Sequence, residues 1–233
     1  MANVQAFFDS QTATVSYLVS DPKTKAAAII DPVLDYEPKA ARIKTASADA
    51  ILAAAAEQGL RVESVLETHA HADHLSAADY IRNKTGAKVA IGARITEIQK
   101  VFAGMFNLKD VPPDGSAFDT LLADGDNFKI GDVEGRTLAT PGHTPACVTY
   151  VIGDAAFVGD TLFMPDYGTA RTDFPGGDAA TLYRSIRKIL SLPDSTRIFT
   201  GHDYLPEGRT KAAWESSVAE QKAHNVHIHE GVS

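Results

Sequence analysis

Thr68-His69-Ala70-His71-Ala72-Asp73-His74 places three imidazoles and a carboxylate within six positions. The apolar run Val62 to Leu66 just before it reads as a buried strand. A lone histidine is usually a satisfied core or surface residue. Many ionisable groups buried together, however, must be paired or must coordinate a metal. Where the chain leaves the strand, His69 and His71, two positions apart, can point to the same side, and Asp73 and His74 follow in the turn. Leu75 to Lys84 (LSAADYIRNK) reads as a helix that starts at once and brings its N-terminus near the cluster.

Three further turns repeat this plan. Thr140-Pro141-Gly142-His143-Thr144-Pro145 follows a predicted strand ending at Ala139; Gly159-Asp160-Thr161 follows Phe157-Val158; Thr200-Gly201-His202-Asp203-Tyr204 follows Ile198-Phe199. A glycine before each candidate ligand lets the backbone turn sharply and lets the side chain project from the sheet edge. Singly, each is a plain turn. Together, four strand-end turns carry five histidines and two aspartates, and they point to a metal centre built from His69, His71, Asp73, His74, His143, Asp160 and His202. The remaining histidines, His224, His227 and His229, fall in a polar tail and read as solvated.

The rest of the chain supplies a scaffold. Val4 to Phe8, Val15 to Val19 and Ala26 to Ile30 read as an antiparallel meander, and an irregular polar passage follows Asp31-Pro32. Asp49 to Gln58 is an alanine-rich helix stopped by Gly59; Gly86 caps the next helix before a strand at Lys88 to Ile91. Ile95 to Phe106 carries apolar residues near a 3.6 period, and Val111-Pro112-Pro113-Asp114-Gly115 breaks the pattern. A second meander spans Phe128 to Ile130, Glu134 to Ala139, Cys147 to Ile152 and Ala155 to Val158. After it come a helix at Ala179 to Leu190, a strand at Arg197 to Thr200 and a polar helix from Arg209 to His224. Each half is a meander followed by helices. The expected class is therefore α/β, with two mixed sheets face to face, helices outside, and one domain over residues 1–233.

Composition narrows the partners. A net charge of −8 argues against a general nucleic-acid or anionic-membrane binder, which needs a basic face. The 44% hydrophobic content supports a sizeable core, and the single cysteine excludes an internal disulfide. Cys147 lies in an apolar run and reads as a buried core thiol. No stretch reaches the length of a membrane span, and MANVQAFF lacks a basic segment followed by a long apolar one, so a cytoplasmic protein is the default expectation.

With THAHADH, His143, Asp160 and His202 in that order, the chain resembles the metallo-β-lactamase superfamily, which implies a four-layer αββα sandwich. The segments PGHTPACVTYV, GDTLF, ARTDFPGGDAATLYRSI and GHDY resemble the persulfide dioxygenases, the ethylmalonic-encephalopathy-protein-like branch. That branch implies one ferrous ion held by His69, His143 and Asp160, a facial triad that leaves positions open for glutathione persulfide and dioxygen. It also implies Arg171, beside Asp173 and Phe174, as a substrate anchor and Tyr204 as a donor near the metal; a homodimer is common there. In its hydrolase branches, exemplified by glyoxalase II, the superfamily implies two zinc ions. His69, His71 and His143 hold one, Asp73, His74 and His202 the other, and Asp160 bridges them to hydrolyse a thioester or lactone. Where close members of the dioxygenase branch carry a cysteine-glycine pair before the arginine, Tyr167-Gly168-Thr169-Ala170 stands here, and the chain ends at His229-Glu230-Gly231-Val232-Ser233 where others continue.

Overall fold

The computed structural model describes residues 1–110, 112–229 and 231. The chain runs through β1 (Asn3–Asp9), β2 (Thr14–Ser20), β3 (Ala26–Ile30), the short β4 (Val33–Leu34), β5 (Tyr36–Glu37) and β6 (Arg42–Ile43), and α1 (Ala46–Glu57). β7 (Arg61–Glu67), β8 (Leu75–Ser76), α2 (Ala78–Thr85), β9 (Lys88–Gly92), α3 (Ile95–Met105) and β10 (Thr120–Leu122) follow. The second half comprises β11 (Asn127–Ile130), β12 (Val133–Ala139), β13 (Val148–Ile152), β14 (Ala155–Phe157), α4 (Ala179–Leu190), β15 (Arg197–Phe199), β16 (Glu215–Ser217) and α5 (Val218–His224).

Alternating apolar strands bury two faces, and the layers follow from that. One sheet has the order β1-β2-β3-β7-β9-β10 and the other β11-β12-β13-β14-β15-β16. Between them, Tyr17, Ile30 and Leu66 meet Tyr150, Phe157 and Phe199. The rings of Tyr17, Phe157 and Phe199 lie 5.1–5.4 Å apart, a spacing at which aromatic pairs add to plain burial. On the outer face of the first sheet, Ile51 and Ala55 of α1 and Ile81 of α2 cover Leu18, Ile29 and Val65. On the outer face of the second, Leu182, Ile186 and Ile189 of α4 cover Ala156, Val158 and Ile198. The result is the expected αββα sandwich.

Topology puts the chemistry on one edge. β12, β13 and β14 alternate in direction and β15 runs parallel to β14, so β12, β14 and β15 all end on the same side. His143, Asp160 and His202 each follow one of these ends. The end of β7 reaches the same edge from the other sheet: Val148 N–H donates to the Thr68 carbonyl at 2.9 Å and the Tyr150 hydroxyl to the Glu67 carbonyl at 2.9 Å. Val15 N–H donates to Gly201 O at 2.8 Å and stitches the sheets again.

Several boundaries differ from expectation. The helix after the histidine cluster begins at Ala78 rather than Leu75, because Leu75 and Ser76 pair with Leu34 and Val33. The helix read from Asp49 starts at Ala46. The polar helix expected from Arg209 to His224 is helical only from Val218, where the Ser217 hydroxyl caps it by accepting from Glu220 N–H. Residues before it wrap the Asp203 carboxylate, which takes the Arg209 guanidinium and Ala213 N–H, and this local wrapping displaces the helix. β10 has no counterpart in the sequence pattern, because three residues carry no usable period. Of the break at Val111 to Gly115, Val111 lies outside the described residues, as do Glu230, Val232 and Ser233 of the tail.

Candidate metal centre

His69, His143 and Asp160 present donor atoms all within 4.8 Å of one another, and all three side chains are buried. His69 Nε2 lies 3.8 Å and His143 Nε2 3.7 Å from Asp160 Oδ2, while His202 Nε2 lies 3.4 Å from Asp160 Oδ1. A second grouping brings together His71, Asp73 and His74, and His202 Nε2 is 3.6 Å from Asp73 Oδ2. Thus all seven expected residues gather at one edge, in two neighbouring clusters that Asp160 and His202 connect.

Each ring is turned by a partner on its far side. Thr68 Oγ1 donates to Asp31 Oδ2 at 2.7 Å, so its lone pair takes the Nδ1 proton of His69 at 3.0 Å and leaves Nε2 to face Asp160. His143 Nδ1 donates to the Arg171 carbonyl at 2.9 Å, with the same result. His71 is held the other way round: Nε2 donates to Glu67 Oε2 at 3.1 Å and to Asp31 Oδ1 at 3.3 Å. His74 Nδ1 donates to the Leu75 carbonyl at 3.0 Å. Such outer partners fix tautomer and orientation in metal-binding histidines.

What remains on the inner side fits a cation. His71 Nδ1, His74 Nε2 and Asp160 Oδ1 are buried and make no hydrogen bond, a costly state for polar atoms that nothing coordinates. Burial, then repulsion from His71, His143, His202 and His74, pushes the His69 imidazole far below its ordinary value, so it stands neutral with a free lone pair. Burial also lowers His74. The donor set of imidazoles and carboxylates suits zinc or ferrous iron. Asp31, Glu67 and His71 also converge, but both carboxylates are already engaged with hydroxyl, amide or imidazole donors, so this trio supports His71.

A cavity of about 870 Å³ opens over Asp73, His143 and Asp160 and is lined also by Arg171, Tyr204 and His227. Arg171 forms a bidentate pair with Asp173 and lies over the Phe174 ring, 5.2 Å from its centre. Tyr204 stacks on His202 at 5.2 Å. Burial and then the carboxylates of Asp160 and Asp73 drive its phenol upward, which keeps the hydroxyl protonated and able to donate. Cys147 is buried; its sulfur accepts from Thr144 N–H at 3.3 Å and lies 3.1 Å from the Thr144 hydroxyl, and burial pushes its thiol to about 12, the behaviour of a core residue.

The glycines of the ligand turns work in two ways. Gly142 and Gly159 adopt φ of +140° and +49°, as the sequence suggests. Gly201 is needed for closeness instead: a Cβ there would sit 2.7 Å from Asp160 Oδ1. Gly201→Ala is therefore expected to shift Asp160 and to weaken metal binding about ten- to a hundredfold while the chain still folds; a metal titration on the variant checks this, and unchanged affinity would show that the turn absorbs the methyl.

Residues 10–202 match the model of the metallo-beta-lactamase superfamily. The chain belongs to this superfamily. Superfamily relatives include the human protein named persulfide dioxygenase ETHE1, mitochondrial, 33% identical over 86% of this chain and 68% of its own length. The protein named glyoxylase B2 from Dictyostelium discoideum is 45% identical over all of this chain and 80% of its own length. A beta-lactamase hydrolase-like protein of Xylella fastidiosa strain Temecula1 is 55% identical over 97% of this chain, but the chain spans only 52% of that relative's length. The crystal structure of ETHE1 from Myxococcus xanthus superposes with a TM-score of 0.78 at 32% identity, covering 97% of this chain and 84% of that one. Superfamily membership makes the chain a member of an enzyme family and accounts for the histidine and aspartate cluster.

His227 was not expected at this site. It lines the cavity, and its Nδ1 accepts from Thr169 N–H at 3.2 Å. Asp31, Glu67 and Thr68 support the site too, and of these only Thr68, which opens the THAHADH run, lies within a motif.

Proposed function

We propose that this protein is a persulfide dioxygenase that holds one ferrous ion on His69, His143 and Asp160 and oxidises glutathione persulfide to sulfite and glutathione. The carrying observation is the inequality in burial among candidate ligands: His69, His143 and Asp160 are all buried, whereas Asp73, in the neighbouring grouping, is 35% exposed. Relatives carrying the ETHE1 name in sequence and structure support the same reading. In the balanced reaction the outer sulfur gains two oxygen atoms from dioxygen and one from water, the sulfur–sulfur bond breaks, and the inner sulfur leaves as the thiol. A bound ferrous ion would supply the redox chemistry and open coordination positions for persulfide and dioxygen.

The chain's own groups do the positioning. Arg171, through the part of its fork not engaged by Asp173, faces the cavity where a peptide carboxylate would lie. The Tyr204 hydroxyl is a protonated donor beside Asp160 and Asp73. Phe163 and Phe174 give the cavity apolar walls that limit water. Anaerobic loading with ferrous iron, followed by addition of glutathione persulfide in aerated buffer, is expected to give oxygen uptake of about one molecule per persulfide; a fully iron-loaded protein that takes up none removes this reading.

A dinuclear zinc hydrolase of a glutathione thioester or similar acyl compound is the second reading. It is favoured by the posture of Asp160, with Oδ2 toward His69 and His143 and Oδ1 toward His202, and by the glyoxylase-named relative. Elemental analysis separates the two, since roughly two zinc ions per chain in protein from unsupplemented cells would favour hydrolysis over oxygenation.

A further inference from the structure

The turn that follows α5 reaches the cavity over the metal cluster through His227. Its Nδ1 lies 3.2 Å from Thr169 N–H and 3.1 Å from the Thr169 hydroxyl. A backbone amide can only donate, so the Nδ1 lone pair is engaged and the ring proton sits on Nε2. No residue among those described takes that Nε2 proton in a hydrogen bond. The ring lines the same cavity as Arg171 and Tyr204.

The seat is built for this ring. Gly168 adopts φ of +102°, and a Cβ there would stand 2.3 Å from His227 Nδ1. Asn225, fully buried, donates to Gly168 O at 3.0 Å and to Gln221 Oε1 at 2.7 Å, and its own Oδ1 accepts from His227 N–H at 3.0 Å. Gln221, also fully buried, donates to the Phe163 carbonyl at 2.9 Å. Val226 N–H donates to Pro165 O at 2.9 Å. Thus the end of α5 and residues 163–169 of the cavity wall form one locked unit, and its outcome is a ring N–H presented to whatever fills the cavity.

We infer that His227 is a specificity residue whose Nε2–H donates to a carboxylate or carbonyl of the peptide part of a thiol-peptide substrate, with Thr169 and Gly168 as the residues that position it. The class of ligand rests on the function proposed above. The carboxylates of glutathione are strong acceptors, and a hydrogen bond to a charged group is among the stronger kinds.

The test compares wild type with His227→Ala and His227→Gln, the latter because its amide can present an N–H at similar reach. Calorimetry gives the Kd for glutathione on the iron-loaded protein, and oxygen uptake gives kcat and KM for glutathione persulfide and for cysteamine persulfide, which lacks the peptide carboxylates. For His227→Ala, the Kd of glutathione and the KM of its persulfide are expected to rise about tenfold. The ratio of kcat/KM between the two persulfides falls by a similar factor, and His227→Gln restores most of it. Unchanged glutathione affinity in His227→Ala, or an equal loss with both persulfides, overturns the inference. Wild type that binds glutathione through His227 yet takes up no oxygen leaves the inference standing and removes only the oxygenase reading.

Discussion

Asp160→Ala protein is expected to be isolated with almost no metal and to lose activity by on the order of a thousandfold or more, the largest effect foreseen for any single substitution. Asp160 is the one carboxylate in the buried grouping with His69 and His143, and both imidazole nitrogens face its Oδ2. Its removal leaves a divalent ion with neutral rings alone. The His69 and His143 rings themselves stay oriented by Thr68 and by the Arg171 carbonyl, so the fold should persist and circular dichroism should be unchanged. Asp73→Ala provides the contrast. If Asp73 only supports the centre, its loss costs about ten- to a hundredfold in metal affinity and leaves wild-type metal content at saturating iron. Elemental analysis of both variants decides the matter: Asp160→Ala with full metal would refute the facial triad, and Asp73→Ala falling from about two ions to one would establish the dinuclear arrangement.

Asp31→Ala should produce the largest loss of stability, about 3–5 kcal/mol, because it breaks a buried charged network rather than a surface pair. The carboxylate accepts Thr68 N–H and the Thr68 hydroxyl, both at 2.7 Å, and faces His71 Nε2 at 3.3 Å, all out of solvent. Burial pushes this carboxyl upward, but the His71 ring and the Thr68 donors outweigh it and hold the group below the usual carboxylate range. The stabilisation is accordingly present above the ordinary carboxylate value and lost as pH falls through the depressed one. Alanine orphans the amide and frees the Thr68 hydroxyl, and His69 loses the chain of bonds that selects its tautomer. Urea unfolding in the presence of a chelator isolates the effect from metal. Asp31→Asn keeps one acceptor and should recover part of the loss; a change below about 1 kcal/mol for alanine would mean that the network contributes little.

The legible part of this molecule was what repeats. Strand-end turns carrying a ligand recur four times, three of them with a glycine just before it, and the alternating runs that bury Tyr17, Tyr150 and Phe157 have a period that a sequence displays openly. The superfamily assignment followed from the order of the histidines and Asp160. What the sequence concealed depended on distance in space. Asp31 stands beside proline and reads as a turn, yet it reaches across to Thr68, whose partner His69 it orients. His227 looked like part of a solvated tail because nothing local announces that Asn225 and Gln221 will be buried against Gly168 and Phe163. Arg209 to Ser217 failed as a helix for the same reason: Asp203 and Asp166 claim the arginine from outside the segment.

The candidate ligands come from both halves of the sandwich: His69, His71, Asp73 and His74 from the turn after β7, and His143, Asp160 and His202 from the ends of strands in the other sheet. Anything bound between them touches two separately hydrogen-bonded sheets at once, so occupancy and cohesion of the sandwich become a single equilibrium. An ion present at a hundred times its dissociation constant would add about 2.7 kcal/mol to the folded state without altering any core contact. A melting curve taken against rising metal is then a gauge of affinity in itself, and it needs no substrate.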